Sequence, residues 1–315
     1  MNFANLKKQS KSFDKLLKAV ETLDKPTYET EDTDNYWKPT PDKAGNALAV
    51  IRFLPGPAVD GEDALPWVRY WDHGFQNPVN GKWYIEKSLT SVGQKDPVSE
   101  YNTQLWNANA DENSPERAQA RDQKRRLHYV SNIYVVSDPK NPDNEGKVFL
   151  FKYGKKIFDK ITKMMAPDLE DEKEVNPFDL WEGANFKLKV TRQLVKIGKR
   201  SIPMPNYDEA QFLAPGPLSE DDAVLETIWK SEYSLKEIVD PKNFKSYDEL
   251  KKRLDEVLGL APAPKPKPAT GVASRFAAED PKINPLQSDE SEEVPWVEEE
   301  EDADLAMFRD LARED

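Results

Sequence analysis

Between residues 47 and 195 the chain alternates apolar and polar positions over short stretches rich in valine, isoleucine and aromatic residues. This two-residue period predicts β-strands, because successive side chains of a strand point to opposite faces. Turn residues at 78–81 and 143–146 lie between or before the strands. The predicted strands are 47–54, 66–75, 81–88, 127–136, 146–154 and 185–195.

Two segments in this part of the chain carry helical rather than strand patterning. One is predicted at 155–165, directly after a strand, and the other at 246–259. In the second, Ser246 is a suitable N-cap with Glu249 three residues on, and Gly259 ends the helix. Short strands with one intercalated helix are typical of a small antiparallel barrel, although periodicity alone does not distinguish a barrel from a sandwich. The predicted fold class is therefore mainly β with α.

The amino-terminal segment 5–23 places apolar residues at helical spacing, with lysines on the other side. This pattern fits an ordinary solvated amphipathic helix. It fits equally a basic arm that docks on a neighbouring molecule or on phosphates. Residues 24–46, which include three prolines and Gly45, read as a connector.

The carboxy-terminal region has the composition of a linker followed by a tail. Residues 261–268 alternate proline with alanine and lysine, a spacer that cannot pack a core. The acidic segment beyond it is expected to be disordered when free. Its end places four apolar residues within two helical turns, a pattern that favours a short helix bound in a partner's groove over scattered surface residues. These four residues are Leu305, Met307, Phe308 and Leu311.

The charge is concentrated at the two ends of the chain. The formal net charge is −13, from 45 Lys and Arg against 58 Asp and Glu. Residues 279–315 hold 15 acidic and three basic residues, so this tail carries −12 and the rest of the chain only −1. Residues 1–20 carry +4, from five lysines and one aspartate. Such asymmetry points to nucleic-acid work, although acidic tails also occur on chaperones.

The composition argues against several classes of function. Without cysteine the chain has no disulfide, no thiol nucleophile and no cysteine-ligated metal. Its two histidines, His73 and His128, are too few for a multi-histidine metal site. No glycine-rich phosphate loop or metalloprotease motif occurs and no carboxylate pair stands out, so we expect no enzymatic activity. Without a long apolar run or an apolar signal core, a cytosolic location away from membranes is the simplest expectation.

The positive signal is a set of cations interleaved with aromatic residues on predicted strands. Unpaired bases stack on aromatic rings, and the phosphates between them need cations. We therefore predict a channel for single-stranded nucleic acid in which exposed rings and cations meet. Core packing is the alternative for each ring taken singly. The predicted residues are Lys124, Arg125, Arg126, Tyr129, Phe151, Tyr153, Lys155, Lys156 and Tyr207.

Several longer strings occur together in one order. They are AGNALAVIRFLP (44–55), NGKWYIE (80–86), NIYVVSDPKNPDNEGKVF (132–149), KYGKKIFDKI (152–161), LWEGANFKLKV (180–190), NYDEAQF (206–212) and NFKSYDEL (243–250). In this order they resemble the single-stranded DNA-binding (helix-destabilising) proteins of T-even-type bacteriophages. Each string alone is modest, whereas the ordered set over about 44–258 is specific.

The resemblance implies four parts. These are a basic arm (1–23), an oligonucleotide/oligosaccharide-binding (OB) barrel core (24–260), a linker (261–278) and an acidic partner-binding tail (279–315). It implies cooperative coating of single strands in replication, recombination and repair, in the cytoplasm of an infected bacterial host. The tail would recruit replication and recombination proteins of the phage. The arm would bind the neighbouring subunit through a motif that matches Lys7, Lys8, Ser10, Lys11 and Ser12.

The resemblance also implies one zinc ion held by a histidine and three cysteines. His73 remains, but Ser88, Asp96 and Ser99 stand at the cysteine positions. Because thiolates supply most of the binding in such a site, we predict no zinc and an ordinary hydrogen-bonded His73. An apolar cluster is then expected to hold this region together. Its expected members are Trp71, Trp83, Tyr84 and Trp106.

Two rival functions remain open from the sequence. An acidic-tailed chaperone or interaction protein would not bind DNA. A nuclease would need a carboxylate cluster for Mg²⁺, and none stands out. In the favoured mechanism the acidic tail competes with DNA for the basic groove.

Overall fold

A computed structural model describes residues 35–169, 172–197 and 200–260, with nine strands and five α-helices in these ranges. The strands are β1 Tyr36–Trp37, β2 Ala47–Phe53, β3 Val68–Gln76, β4 Trp83–Lys87, β5 Arg126–Ser137, β6 Val148–Tyr153, β7 Ala184–Ile197, β8 Arg200–Asn206 and β9 Gln211–Pro215. The helices are α1 Pro97–Ala108, α2 Pro115–Asp122, α3 Lys155–Met165, α4 Asp222–Lys230 and α5 Tyr247–Leu258. The fold is mixed α/β. No helix in the described part of the chain has both the length and the apolarity needed to span a bilayer.

The nine strands form one sheet in which β5 is the central element. The hydrogen-bonded order is β1-β6-β5-β2-β7-β8, with β3 paired to β5, β4 to β3 and β9 to β7. All pairs are antiparallel except β1–β6. Along one edge of β5, the first half pairs with β3 and the second half with β2. The other edge pairs with β6. The length of β5, twelve residues, allows it to join these three strands.

The main core lies between one face of this sheet and helix α3. Phe53 is fully buried at its centre, with its ring 5.6 Å from that of Tyr153 and 5.8 Å from that of Phe178, centroid to centroid. Helix α3 turns its apolar stripe, including Phe158 and Ile161, into the same cluster. Each such side chain contributes roughly 1.5–3 kcal/mol on burial.

A buried arginine ties β2 to the start of β7, to the segment before it and to the residue after β9. The Arg52 side chain donates from Nε to Asn185 Oδ1 (2.9 Å), from Nη1 to the Asp179 carbonyl (3.1 Å) and from Nη2 to the Gly216 carbonyl (2.5 Å). Burial lowers the pKa of Arg52 to about 10, partly offset by the Asp179 charge. Gly183 is required beside it, since a Cβ there would lie 2.6 Å from Nη1 of Arg52.

A separate small core joins the β3–β4 hairpin to helices α1 and α5. It consists of Phe75, Tyr84, Val98, Leu254 and Val257. The Phe75 and Tyr84 rings stack with their centroids 5.1 Å apart. This cluster fixes the position of the hairpin relative to the two helices.

Most predicted elements are confirmed, and the differences have local causes. The six predicted strands correspond to β2–β7, and the helices at 155–165 and 246–259 are α3 and α5. The Ser246–Glu249 capping box and the left-handed Gly259 are both present. Strands β8 and β9, helices α1, α2 and α4, and strand β1, which lies in the predicted connector 24–46, are not among the predicted elements. β8 contains two prolines, which argue against a strand, and α2 buries only Ala120, so it shows no apolar stripe. The predicted helix 5–23 and all of 261–315 lie outside the described residues.

Replacing Leu254 with alanine tests the small core. Leu254 is fully buried, so the cavity should cost about 2–5 kcal/mol in the free energy of unfolding, measured by urea denaturation. The matched control is Lys252→Ala on the exposed side of the same helix, which should change stability by less than about 0.5 kcal/mol. Equal effects of the two substitutions would contradict the assigned packing.

Candidate nucleic-acid interface

The register of β5 decides which of the predicted residues lie together. Across β5 and β6, Tyr129 is paired with Tyr153 and Ser131 with Phe151, so the three rings share one face of the sheet. We call this the inner face, because it forms the main core. Arg126 and Lys152 lie on the opposite face, which we call the outer face.

The three predicted stacking rings are buried on the inner face. Tyr129 is 2% exposed, and Phe151 and Tyr153 are each 4% exposed. They stack on protein rings instead of offering open faces: Tyr129 on Phe158 at 3.9 Å, and Phe151 on Tyr153 at 5.4 Å. The Tyr153 hydroxyl is hydrogen-bonded to that of Ser131 (2.8 Å), and burial raises the Tyr153 pKa. The expectation that these rings are exposed is therefore wrong, because the shared face is covered by α3.

Cations lie at the end of this row of rings. Arg69 is paired across the strands with Tyr129, and Trp71 follows on the same face of β3. The guanidinium carbons of Arg69 and Arg125 lie 4.7 Å and 4.9 Å from the centroid of the Trp71 ring. Arg125 also donates to the hydroxyl of Thr90 (2.8 Å). Two arginines thus hold one indole by cation–π contacts, which fixes the Arg125 side chain at the rim of the inner face.

Arg69 and Trp71 were not among the predicted site residues. The signal that could have found them is the alternation Arg-x-Trp on a predicted strand, which puts a cation and a ring on the same face. The sequence could not show that Arg125 reaches this ring, since the contact depends on the pairing of β3 with β5.

Arg126 points to the outer face, where it meets Asp72. Its Nε lies 2.9 Å from Asp72 Oδ1, and His128 Nε2 and Lys152 Nζ lie 3.0 Å and 3.7 Å from Asp72 Oδ2. Burial alone would raise the pKa of Asp72, but the hydrogen bond and charge of His128 and the charges of Arg126 and Lys152 hold it well below its usual range. Burial lowers the pKa of His128, and Asp72 opposes this change. The carboxylate is therefore ionised and shared by its basic neighbours.

Further cations and apolar side chains line the outer face. The ammonium groups of Lys87 and Lys152 lie 4.6 Å and 5.1 Å from the centroid of the buried Tyr70 ring. On the edge strand β4, Trp83 is 51% exposed and Ile85 is 63% exposed. Gly74 lies beneath the Arg126 guanidinium, where a Cβ would come within 1.9 Å of Nη2.

The remaining predicted residues lie around α3 and after β8. Lys124 and Lys156 are half-buried, and Lys155 pairs with Asp159 one turn along α3 (3.1 Å). The N-cap of α3 is Gly154, so no side chain caps the amides beside these lysines. Cations are unfavourable at this end of a helix, whereas an anion such as phosphate is favourable. Tyr207 is half-buried and packs against the main core.

The region in which the resemblance places a zinc ion is held by hydrogen bonds to Asp96. This carboxylate is 1% exposed and accepts from the amides of Leu89 (3.1 Å), Val98 (3.1 Å) and Ser99 (2.9 Å). Its fourth contact, at 3.1 Å, is Nε2 of His73. The carboxylate therefore caps α1 and joins it to β3 and to the turn at Leu89–Val92.

These side chains do not fit the zinc site that the resemblance implies. Both ring nitrogens of His73 already face oxygen atoms, Nδ1 being 2.9 Å from the Gln123 carbonyl. Ser88 bonds to the hydroxyl of Thr90 (3.0 Å). Nowhere in 35–169, 172–197 or 200–260 do three or more His, Cys, Asp or Glu side chains form a group that could hold a metal. The prediction of a hydrogen-bonded His73 is confirmed.

The prediction of one apolar cluster in this region is only partly correct. Tyr84 is buried, but in the small core with Phe75 and Val98. Trp83 faces solvent, and Trp106 lies under the guanidinium of Arg117 at 4.5 Å. Trp71 belongs to the arginine pair described above. The four residues do not form one cluster, because β4 turns Trp83 and Tyr84 to opposite faces.

The predicted arm and tail residues lie outside the described residues. They are Lys7, Lys8, Ser10, Lys11, Ser12, Leu305, Met307, Phe308 and Leu311. Their roles stay predictions.

Comparison with known proteins gives one consistent answer. The profile of a family described as gp32 DNA binding protein like matches residues 45–258. The chain is 39% identical over 232 residues to the single-stranded DNA-binding protein of Enterobacteria phage T4, covering 71% of this chain and 70% of that protein. It is 38% identical over 232 residues, with the same coverage, to the single-stranded DNA-binding protein of Enterobacteria phage T2. A shorter match, 43% over 67 residues, covers 21% of this chain and 55% of the single-stranded DNA-binding protein of Escherichia phage SV14.

Acid titration tests the two buried carboxylates. Burial would raise the pKa of Asp96, but its hydrogen bonds from His73 and from backbone amides lower it, and the pKa of Asp72 is lowered as well. Their stabilising contribution is therefore fully present above the unfolded value of about 3.9 and is lost as the pH falls through the folded values. The free energy of unfolding, measured in urea from pH 7 to pH 3, should decline on the acid side.

Asp96→Asn provides the comparison. It should cost about 3 kcal/mol at pH 7, because His73 loses its buried partner, and it should flatten the acid-side decline. Parallel pH curves for this variant and the unmodified protein would show that Asp96 is not stabilising as an ionised group.

Proposed function

Because the chain belongs to the gp32-like family of DNA-binding proteins, we propose that it binds single-stranded DNA cooperatively and without sequence preference in phage replication, recombination and repair. The family match over residues 45–258 carries this proposal, because it includes the whole cationic region around Lys124–Arg126. The T4 and T2 relatives support it, since both are named single-stranded DNA-binding proteins.

The proposed binding surface is centred on the start of β5. Arg125 at the rim of the inner face and Arg126 on the outer face place cations on both sides of one strand. Lys124, Lys155 and Lys156 add positive charge, and backbone phosphates are the ligand that this chemistry fits. The core around it is proposed to be an OB barrel, with β5 as its central strand.

The base-stacking part of the proposal carries a structural condition. Tyr129, Phe151 and Tyr153 can stack on bases only if the inner face opens when a strand binds, so their role stays a prediction. Tyr207, which is half-buried, needs a smaller change. Each stacked base would contribute roughly 1–3 kcal/mol.

Binding of this kind melts duplexes without ATP. A protein that traps single strands shifts the duplex equilibrium by mass action. The basic arm, through Lys7, Lys8, Ser10, Lys11 and Ser12, is proposed to bind the next subunit along the strand. The acidic tail is proposed to cover the basic surface until DNA displaces it, and then to recruit replication and recombination proteins through the apolar residues at its end.

Three further proposals concern zinc, catalysis and location. The chain acts without zinc, because the hydrogen bond between Asp96 and His73 joins the elements that the metal would join in the site implied by the resemblance. It is not an enzyme, and it acts in the cytoplasm of an infected bacterial host, away from membranes. A chaperone that ignores DNA and a nuclease that degrades it are the alternatives that the next measurement separates.

Arg125→Ala tests the centre of the surface. Quenching of the fluorescence of the eight tryptophans by a homopolymer oligonucleotide, at two salt concentrations, gives the affinity and its salt dependence. For the unmodified protein the affinity should fall by roughly 0.7 log units per log unit of salt for each phosphate neutralised. The variant should bind about tenfold more weakly with a shallower salt dependence, because one phosphate contact is lost.

Lys230→Ala is the control, since Lys230 lies on α4 in an exposed pair with Glu226. It should bind as the unmodified protein does. Equal affinities for Arg125→Ala and this control would remove Arg125 from the surface. No quenching by the unmodified protein would favour the chaperone, and shortening of the oligonucleotide in Mg²⁺ would favour the nuclease.

Removing residues 279–315 tests the tail. Loss of the −12 segment should tighten DNA binding and lower the melting temperature of a duplex, because an internal competitor is gone. Unchanged affinity after tail removal would contradict the competition between the tail and DNA.

Removing residues 1–20 tests the arm. The same titration of this shortened chain should show single-site binding with cooperativity lost. Cooperative isotherms after this removal would contradict the role of the arm.

A further inference from the structure

The outer face carries one carboxylate among several cations. Asp72 lies within 3.7 Å of basic groups on two other strands, Arg126 and His128 on β5 and Lys152 on β6. Lys87, its cross-strand neighbour on β4, lies over the same Tyr70 ring as Lys152. Arg126, Lys152 and Lys87 outnumber the single carboxylate, so this group keeps a net positive charge whether or not His128 is protonated.

Two cations of this group, Arg126 and Lys152, are more accessible than the carboxylate. The side chain of Arg126 is 44% exposed and that of Lys152 is 34% exposed, whereas that of Asp72 is 10% exposed. A phosphate approaching from solvent therefore reaches Arg126 and Lys152 without having to enter the sheet. Gly74 lets the Arg126 guanidinium lie close against β3.

Apolar side chains on the adjoining strand complete the surface. Trp83 and Ile85 project from β4 on the same face as Lys87, with Ile85 paired across the strands with Gly74. Both are more than half exposed. An exposed indole on the same face as two accessible cations is the combination that single-stranded DNA uses, with a base stacked on the ring and phosphates held by the cations.

Resting on the proposed function, we infer that the outer face is a second contact surface for the DNA backbone, on which Asp72 competes with phosphate for Arg126 and Lys152. In the free protein the Asp72 carboxylate is paired with these cations. The free energy of phosphate binding is therefore reduced by the free energy of the ion pairs that the phosphate must break. Asp72 thus lowers the affinity of this face and moderates its salt dependence. Arg125 and the rest of the inner-face rim are not affected by this competition, because they lie on the other side of the sheet.

The test is Asp72→Asn, measured by oligonucleotide titration over a range of salt concentrations. The amide keeps the shape of the side chain but removes its charge. Binding should be about two- to fivefold tighter, the size expected when one partly exposed ion pair is relieved. The slope of log affinity against log salt should be steeper by roughly 0.7, the value for one additional phosphate.

Asp168→Asn is the matched control. This substitution makes the same change in net charge. It also leaves Lys163 on α3 without its ion-pair partner, since Asp168, just after the helix, pairs with Lys163. Its affinity and salt slope should equal those of the unmodified protein. If a correctly folded Asp72→Asn protein, checked by its circular dichroism and urea midpoint, binds no more tightly than this control, the inference is overturned.

A second pair of variants decides the matter if Asp72→Asn does not fold. Lys152→Gln should bind DNA about twofold more weakly, because the outer face loses a phosphate contact, whereas Lys163→Gln should not. Equal affinities for these two variants would overturn the inference while leaving the proposed function intact. Absence of binding by the unmodified protein would overturn the proposed function and this inference together.

Discussion

The two-residue period of β5 is the constraint on which the rest of the molecule depends. Because this strand pairs with β2, β3 and β6, its alternation is imposed on three neighbours at once. The rings of Tyr129, Phe151 and Tyr153 lie on the inner face under α3, and Arg126 and Lys152 lie on the outer face. A shift of one residue would move Arg126 to the inner face and Tyr129 to the outer face, so the core and the charged surface are fixed by the same register.

The sequence predicted the strands well, because alternation is a property of neighbouring residues. It could not predict that α3 covers the face that carries Tyr129. Tyr129, Phe151 and Tyr153 share a face as expected, but Phe158 from α3 packs onto that face, and this contact depends on how the chain returns after β6. The prediction of exposed rings failed for this reason, while the prediction that Phe151 and Tyr153 share one face was correct.

The same limit applies to the charged residues. Lys124, Arg125 and Arg126 form one run in the sequence, yet Arg125 lies against Trp71 and Arg126 against Asp72 on opposite faces. Such separation follows from strand geometry once the strand is known to begin at residue 126. The partners themselves come from β3, more than fifty residues earlier, and only the pairing register identifies them. Likewise, the absence of cysteine was evident from the sequence, but the four contacts of Asp96 were not.

The Asp96 contacts also have a practical consequence. The region around Asp96 is held by a carboxylate and an imidazole and not by cysteine ligands. The sequence therefore contains no thiol. One cysteine introduced at an exposed position such as Lys252 would then be the sole target for a maleimide dye. Single-molecule fluorescence of the chain on a DNA strand is therefore accessible without first rebuilding the protein around a metal or removing native cysteines.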